Sequence, residues 1–385
     1  MNETRRGLFN DDHESFRKVV REFMESEVAP QFPGWEKAGY LPREFFKKIA
    51  ALGVMGMSIP EEYGGSGVDD YRYNVILQEE AARSLVTLGP LRLMLDVILP
   101  YFLSYTTAEQ KLRWLPGLAA GDLLTAIAMT EPGTGSDLAG IKTTAVRDGD
   151  HYVVNGAKTF ITGGYLADLV IVVARTSSDA QDRRAGLTLL VLEAGMPGFE
   201  KGRMLDKIGL KSQDTTELSF SDVHVPVANR LGDEGAGFDY LRHNLAQERL
   251  AIAVGSVAAA RAALQTTIDY VKQRQAFGKT VSEFQNTKFE LAAVFAESEA
   301  AQALLDRAVA SHVAGELSPA DAATTKLFST EVQARAVDRC LQLFGGYGYI
   351  LEYPIARLYA DARVARIYGG TSEVMKTIIS KSLGL

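Results

Sequence analysis

The spacing of hydrophobic positions divides the chain into three zones. Up to about residue 122 the period is helical: Phe16, Val19, Val20 and Phe23 recur at helical steps, as do Phe45, Ile49 and Leu52. A glycine-rich stretch at 62–68 interrupts these helices as a loop. From about 123 to 232 the texture becomes that of strands. His151–Thr162 is expected to hold two short strands around Asn155-Gly156, a common hairpin dipeptide. Leu169–Arg175, Leu187–Glu193 and the stretch 216–225 read as further strands, the first two joined by the polar loop 177–184. From about 234 the pattern is helical again, with alanine-rich stretches at 254–264 and 290–305. The pattern predicts an α+β chain in three parts: a helical domain over 1–122, a β domain over 123–232 and a helical bundle over 233–385.

One polar residue breaks the last zone's apolar logic. Phe238, Leu241, Leu245, Ile252 and Ala259 form the core stripe of its first helix, and Glu248 falls on that stripe. A carboxylate there is costly unless it is paired, faces a cavity or is partly protonated. It is either a structural ion pair, with Arg249 or another basic side chain bending toward it, or a general base with a raised pKa. No second matched carboxylate and no Ser-His pair competes as a chemical centre.

Composition limits the rest. The chain has 385 residues, 46% of them hydrophobic, enough for a large core. Its net charge is −7, and Arg5-Arg6, Lys47-Lys48 and Arg183-Arg184 are its short basic runs, so bulk nucleic-acid binding is not expected. Cys340 is the only cysteine and the five histidines lack ligand spacing, which points to no disulfide, no metal and a reducing compartment. The start of the sequence lacks a secretory apolar core, and runs such as 169–174 are too short to span a bilayer. A cytoplasmic protein without a membrane span is expected.

Met129-Thr-Glu-Pro-Gly-Thr-Gly-Ser-Asp137 carries the second chemical signal. Proline, two glycines and two hydroxyls in so few residues can aim several N–H groups at a pyrophosphate. An ordinary Pro-Gly turn has the same composition. Phe160 and Thr162 end a predicted strand, where the threonine could reach a planar cofactor. Arg274-Gln-Ala-Phe-Gly-Lys279 suits anion binding or a helix terminus. Gln342-Leu-Phe-Gly-Gly-Tyr-Gly-Tyr349 and Tyr368-Gly-Gly-Thr-Ser-Glu373 read as helix-end turns, with Thr371 or Ser372 as an N-cap.

Taken together and in order, these segments resemble the acyl-CoA dehydrogenase family along nearly the whole chain. The resemblance implies an N-terminal all-α domain, a β-barrel-like middle domain and a C-terminal four-helix bundle, assembled as a homotetramer. It implies FAD as cofactor, bound by Met129, Thr130, Gly135, Ser136, Phe160 and Thr162 of one subunit. Arg274, Phe277, Gln285, Gln342, Gly345 and Gly346 would meet the FAD of a neighbour, with Thr371 and Glu373 near its adenosine half. An acyl-CoA substrate would touch Ser136, Arg249 and Gly370, and electrons would pass to an electron-transfer flavoprotein. The alternatives are a carrier-protein-bound acyl thioester, or a flavin-dependent monooxygenase or oxidase on this fold, which needs no such base.

The sequence departs from many members of the family at Gly369, where they carry their catalytic Glu after the tyrosine. Long-chain and isovaleryl-type members hold that base on the helix matching Gln247-Glu-Arg-Leu250, so the resemblance assigns it to Glu248. Gly369 would keep an N–H to polarise the thioester carbonyl. In the helix around 91–102, Arg92 and Asp96 are four residues apart and expected to pair on the helix surface. The sharper alternative has Arg92 meeting a polar or carboxylated acyl tail.

Overall fold

The computed structural model describes residues 6–178 and 182–385. Arg5, the rest of the chain's start, and part of the expected loop 177–184 lie outside the described residues. Seven helices come first: α1 (Asp11–Phe23), α2 (Phe32–Ala38), α3 (Arg43–Ala51), α4 (Arg72–Arg83), α5 (Gly89–Leu93), α6 (Leu99–Ser104) and α7 (Ala108–Ala119). A wide π turn, Met94–Ile98, joins α5 to α6.

The strands follow: β1 (Thr125–Ala128), β2 (Thr144–Asp148), β3 (His151–Thr162), β4 (Leu169–Arg175), β5 (Leu187–Glu193), β6 (Phe199–Met204), β7 (Thr215–Pro226) and β8 (Arg230–Leu231). Their order is β6-β7-β3-β2-β4-β5-β8, with β1 parallel to β4. In β4 and β5 nearly every residue is buried because both faces are covered. Leu169, Ile171 and Val173 of β4 pack with the N-terminal helices, while Val170, Val172 and Ala174 fill the inside of the curved sheet.

The expected hairpin at Asn155-Gly156 is corrected here. β3 runs straight through it, and β2 and β3 turn instead at Gly149, whose φ is +59°. Asn155-Gly156 sits at a bulge against β7. There Asn155 exchanges hydrogen bonds with Asp222, donating at 2.9 Å and accepting its N–H at 2.9 Å. A Cβ on Gly156 would come within 2.8 Å of the Thr143 Cα, so glycine answers a close strand contact rather than a turn.

The last zone holds α8 (Gly237–Gln273), the short hairpin β9 (Gln275–Ala276) and β10 (Lys279–Thr280), α9 (Gln285–Val313), α10 (Pro319–Phe344), α11 (Pro354–Ala362) and α12 (Ser372–Ser382). α8 is long and apolar enough to cross a membrane by length and composition alone. Its apolar surface packs instead against α4, α9 and α10, with Leu250, Val254 and Val257 in one cluster and Ala260, Ala263 and Leu264 in the next.

Candidate functional site

The predicted stripe on α8 starts in the core and ends in a cleft wall. Leu241 is buried with Phe238 packed against the same cluster, Ile252 is buried, Leu245 and Glu248 are half-buried, and Ala259 lines a hollow between α4, α5, α8 and α11. The neighbouring Arg249 is buried, and its Nε has no hydrogen-bond partner among the described residues. Desolvation raises the Glu248 pKa above the ordinary carboxylate value, and the fields of Arg92, Arg249 and Lys326 oppose that only in part. Tyr101 of α6 stands close enough that burial, and then the Glu248 charge, push its phenol up.

Facing Glu248 is the turn at 368–370. Gly369 and Gly370 have φ of +61° and +91°, a left-handed conformation that glycine adopts without strain. A Cβ on Gly369 would fall 2.3 Å from Ile252 Cδ1 and 3.4 Å from Glu248 Oε1. Position 369 therefore points at the carboxylate of Glu248. Either position could deliver an acid to this spot, and the space beyond Gly369 is filled by α8.

The buried Lys326 of α10 fixes that turn. Its ammonium donates to the Tyr368 carbonyl at 2.6 Å and to the Gly370 carbonyl, bracketing Gly369. Burial lowers its pKa to about 8. Sequence reading missed Lys326, although the signal was present: Ala322, Ala323, Lys326, Ser329, Thr330 and Gln333 are all buried at helical spacing.

Arg92 and Asp96 do not form the expected surface pair. The π turn carries Asp96 inward, leaving it 2% exposed, where Asn74 and Gln78 of α4 donate to its two oxygens at 2.6 and 2.9 Å. Burial pushes the Asp96 carboxyl up to about 6. The Gln247 amide donates to the Asp96 carbonyl at 2.8 Å, tying the π turn to the helix turn that bears Glu248. Arg92 instead lies 5.7 Å above the Tyr368 ring and lines the cleft.

The proline-glycine loop is anchored from below. Buried Lys158 pairs with Glu131 at 2.9 Å and donates to the Met129 carbonyl at 3.0 Å. Glu131 also accepts the N–H groups of Lys142 and Thr143 at 2.7 and 2.9 Å, and Thr130 accepts from the Thr159 N–H at 2.9 Å. Gly135 and Ser136 are left exposed above this base. Where β3 shifts register after Lys158, Phe160 is turned outward with φ +60° and 66% exposure. Thr162 accepts from Gln213 at 3.1 Å, and Gln213 lines the same cleft as Arg92 and Tyr368.

The remaining predicted residues gather elsewhere. Arg274, Gln342, Gly345 and Gly346 line a separate hollow of about 510 Å³ with Tyr270 and Tyr347. Phe277, at the tip of the β9–β10 hairpin, has φ +52° and is 96% exposed, and Gln285 opens α9 on the surface. Thr371 caps α12, accepting from the Val374 N–H at 3.3 Å, and Glu373 is exposed in its first turn.

Comparison with known proteins agrees with this arrangement. The chain matches the acyl-CoA dehydrogenase N-terminal domain over residues 10–122, the middle domain over 126–223 and the C-terminal domain over 235–384. It is 44% identical over 378 residues to the mitochondrial long-chain specific acyl-CoA dehydrogenase of Sus scrofa, covering 98% of this chain and 88% of that one. It superimposes with a TM-score of 0.96 on an acyl-CoA dehydrogenase from Geobacillus kaustophilus, at 46% identity and with 98% and 99% of the two chains covered. A chain in the structure of the electron transferring flavoprotein of Acidaminococcus fermentans matches with a TM-score of 0.92 at 34% identity, over 100% and 99% of the chains. With a carboxylate set against a glycine turn, an anchored proline-glycine loop, and three domain matches in order, the chain belongs to the acyl-CoA dehydrogenase family, oxidoreductases that carry out FAD-dependent dehydrogenation of acyl-CoA.

Proposed function

We propose that the chain dehydrogenates an acyl-CoA thioester between its α and β carbons, with Glu248 as the base. The observation that carries this reading is the convergence of Glu248 and Gly369 on one point. A half-buried carboxylate without an ion-pair partner among the described residues, its pKa raised by desolvation, suits removal of a proton from carbon. In this reading the thioester carbonyl lies against the turn at 368–370, where the Gly369 N–H polarises it and stabilises the enolate-like charge. Lys326 keeps that turn in place from beneath.

The residues present fit FAD. Phe160 and Phe277 hold aromatic rings out on left-handed backbone, and Gly135 and Ser136 offer N–H groups and a hydroxyl above an anchored base. Met129, Thr130 and Thr162 would flank the ring system of the cofactor. When bound, FAD supplies the acceptor for the hydride that leaves the β-carbon. Ser136, Arg249 and Gly370 would contact the CoA thioester. The hollow at Arg274 and Gln342, with Phe277, Gln285, Gly345, Gly346, Thr371 and Glu373, would complete the site of a neighbouring subunit in a homotetramer. An electron-transfer flavoprotein is the proposed partner that takes the electrons, supported by the match to the Acidaminococcus structure.

The test is anaerobic mixing of FAD-loaded protein with a series of acyl-CoAs while flavin absorbance is followed. Bleaching by one class of acyl chain is expected. The Glu248→Gln variant should keep its flavin and bleach about 100-fold more slowly or worse; a variant that keeps most of the rate would sink the assignment.

A further inference from the structure

Beyond Glu248, α8 continues past Ile252 and Gly255 to Ala259 along a cavity of about 120 Å³. Leu77, Ala81 and Leu85 give it an apolar wall. Val86, Leu88, Leu210 and Leu358 add to that apolar lining, and a few polar side chains interrupt it. Gln78 Oε1, Gln333 Oε1 and Asp361 Oδ2 are buried side-chain oxygens without a hydrogen-bond partner among the described residues, on residues 9%, 6% and 9% exposed. They come from three helices and line this one cavity, together with Gln213 Oε1, which is likewise unpartnered on the side of Thr162.

Their orientation is set by what their other atoms do. The Gln78 Nε2 is held by Asp96, which turns the oxygen toward Gly255, where a Cβ would meet it at 3.2 Å. The other oxygen of Asp361 accepts the Leu210 N–H. A buried acceptor left unpaired costs free energy, and an alkyl chain filling the cavity would make that cost permanent.

We propose that the acyl chain taken here carries a hydrogen-bond donor, a hydroxyl or an amide N–H, beyond the reacting carbons. From Glu248 to Gly255 is about 10 Å along the helix, which puts the donor toward the end of a medium-length chain. This rests on the reading of Glu248 as the base that fixes the reacting end. A carboxylated tail fits less well. Arg92 alone would attract it, while Asp96 and Glu248 already sit in the field of that guanidinium and the three oxygens would repel an anion.

Dissociation constants of decanoyl-CoA and its ω-hydroxy counterpart, measured by anaerobic calorimetry on the FAD-loaded enzyme, test the proposal. The hydroxylated ligand should bind about tenfold more tightly or better. Gln333→Met, and independently Gln78→Met, should carry that ratio toward one. Equal or tighter binding of plain decanoyl-CoA overturns the proposal, as does a ratio unmoved by either substitution. Flavin bleaching in the same samples reports separately on Glu248: a preference in binding with no bleaching by either ligand faults the base and leaves the tail site standing.

Discussion

At the scale of single residues, the site turns on three side chains of one charge relationship: Glu248, Lys326 and Arg92. Desolvation lifts the Glu248 pKa, so the reactive carboxylate forms at a higher pH than that of a free glutamate. The rate of flavin reduction should therefore rise with pH along an acid limb displaced upward from that of a free glutamate. Lys326 opposes the lift with its positive charge. Lys326→Met removes that charge, so the limb should move to still higher pH, and the freed turn should slow reduction on the plateau as well. Rates from pH 5 to 9 separate these two effects; an unmoved limb would show that Lys326 exerts no field at the base. Gly369→Ala is a stricter probe. The left-handed backbone costs an alanine about 1 kcal/mol or more, and its Cβ would collide with Ile252. Flavin should stay bound while reduction falls by about tenfold or more, through a shifted carbonyl contact. Glu248 was legible in the sequence because an acid on an apolar stripe is conspicuous. Lys326 was equally conspicuous in pattern, but its role depends on carbonyls more than 40 residues away that no local reading supplies.

At the scale of elements, legibility followed burial on both faces. β4 and β5 were read at their observed bounds because covered faces leave unbroken apolar runs, whereas β2 and β6 expose most of their residues and carry no such signal. Asn155-Gly156 misled because the same dipeptide serves a turn or a bulge, and the choice belongs to Thr143 and Asp222 on other segments. The π turn at Met94–Ile98 was invisible for a related reason: it is held by Asn74, Gln78 and Gln247 from outside. Asp96 makes that element sensitive to pH. Its folded pKa of about 6 lies above the ordinary aspartate value, so the folded state binds the extra proton. That contribution to stability is complete below the unfolded pKa and is lost as pH rises through about 6. Asp96→Asn should remove it. The difference in Tm between pH 4 and pH 7 ought to shrink in this variant relative to the unsubstituted chain; an identical pH dependence would mean that Asp96 does not carry the proton.

At the scale of the whole molecule, the C-terminal bundle leaves apolar side chains in solvent. Phe277 is 96% exposed, Phe289 63%, Tyr349 89% and Leu351 75%, all near the hollow that holds Arg274 and Gln342 in chain order. Side chains of this size left on the surface mark an interface when they cluster. The homotetramer proposed above gives them partners, and it also gives the Arg274 hollow a flavin to meet. Assembly and cofactor retention should then fail together. Phe289→Glu places a charge on α9, where a paired interface would bury it unpaired, at a cost of several kcal/mol. Light scattering should show the unsubstituted protein as a tetramer and the variant as smaller species. The helices should persist by circular dichroism, because Phe289 is exposed in the single chain and contributes little to its core. FAD should dissociate from the variant on dilution while the tetramer keeps it. A variant that loses assembly and still holds flavin as tightly would show that each subunit completes its own cofactor site, and would move the Arg274 hollow out of the catalytic account.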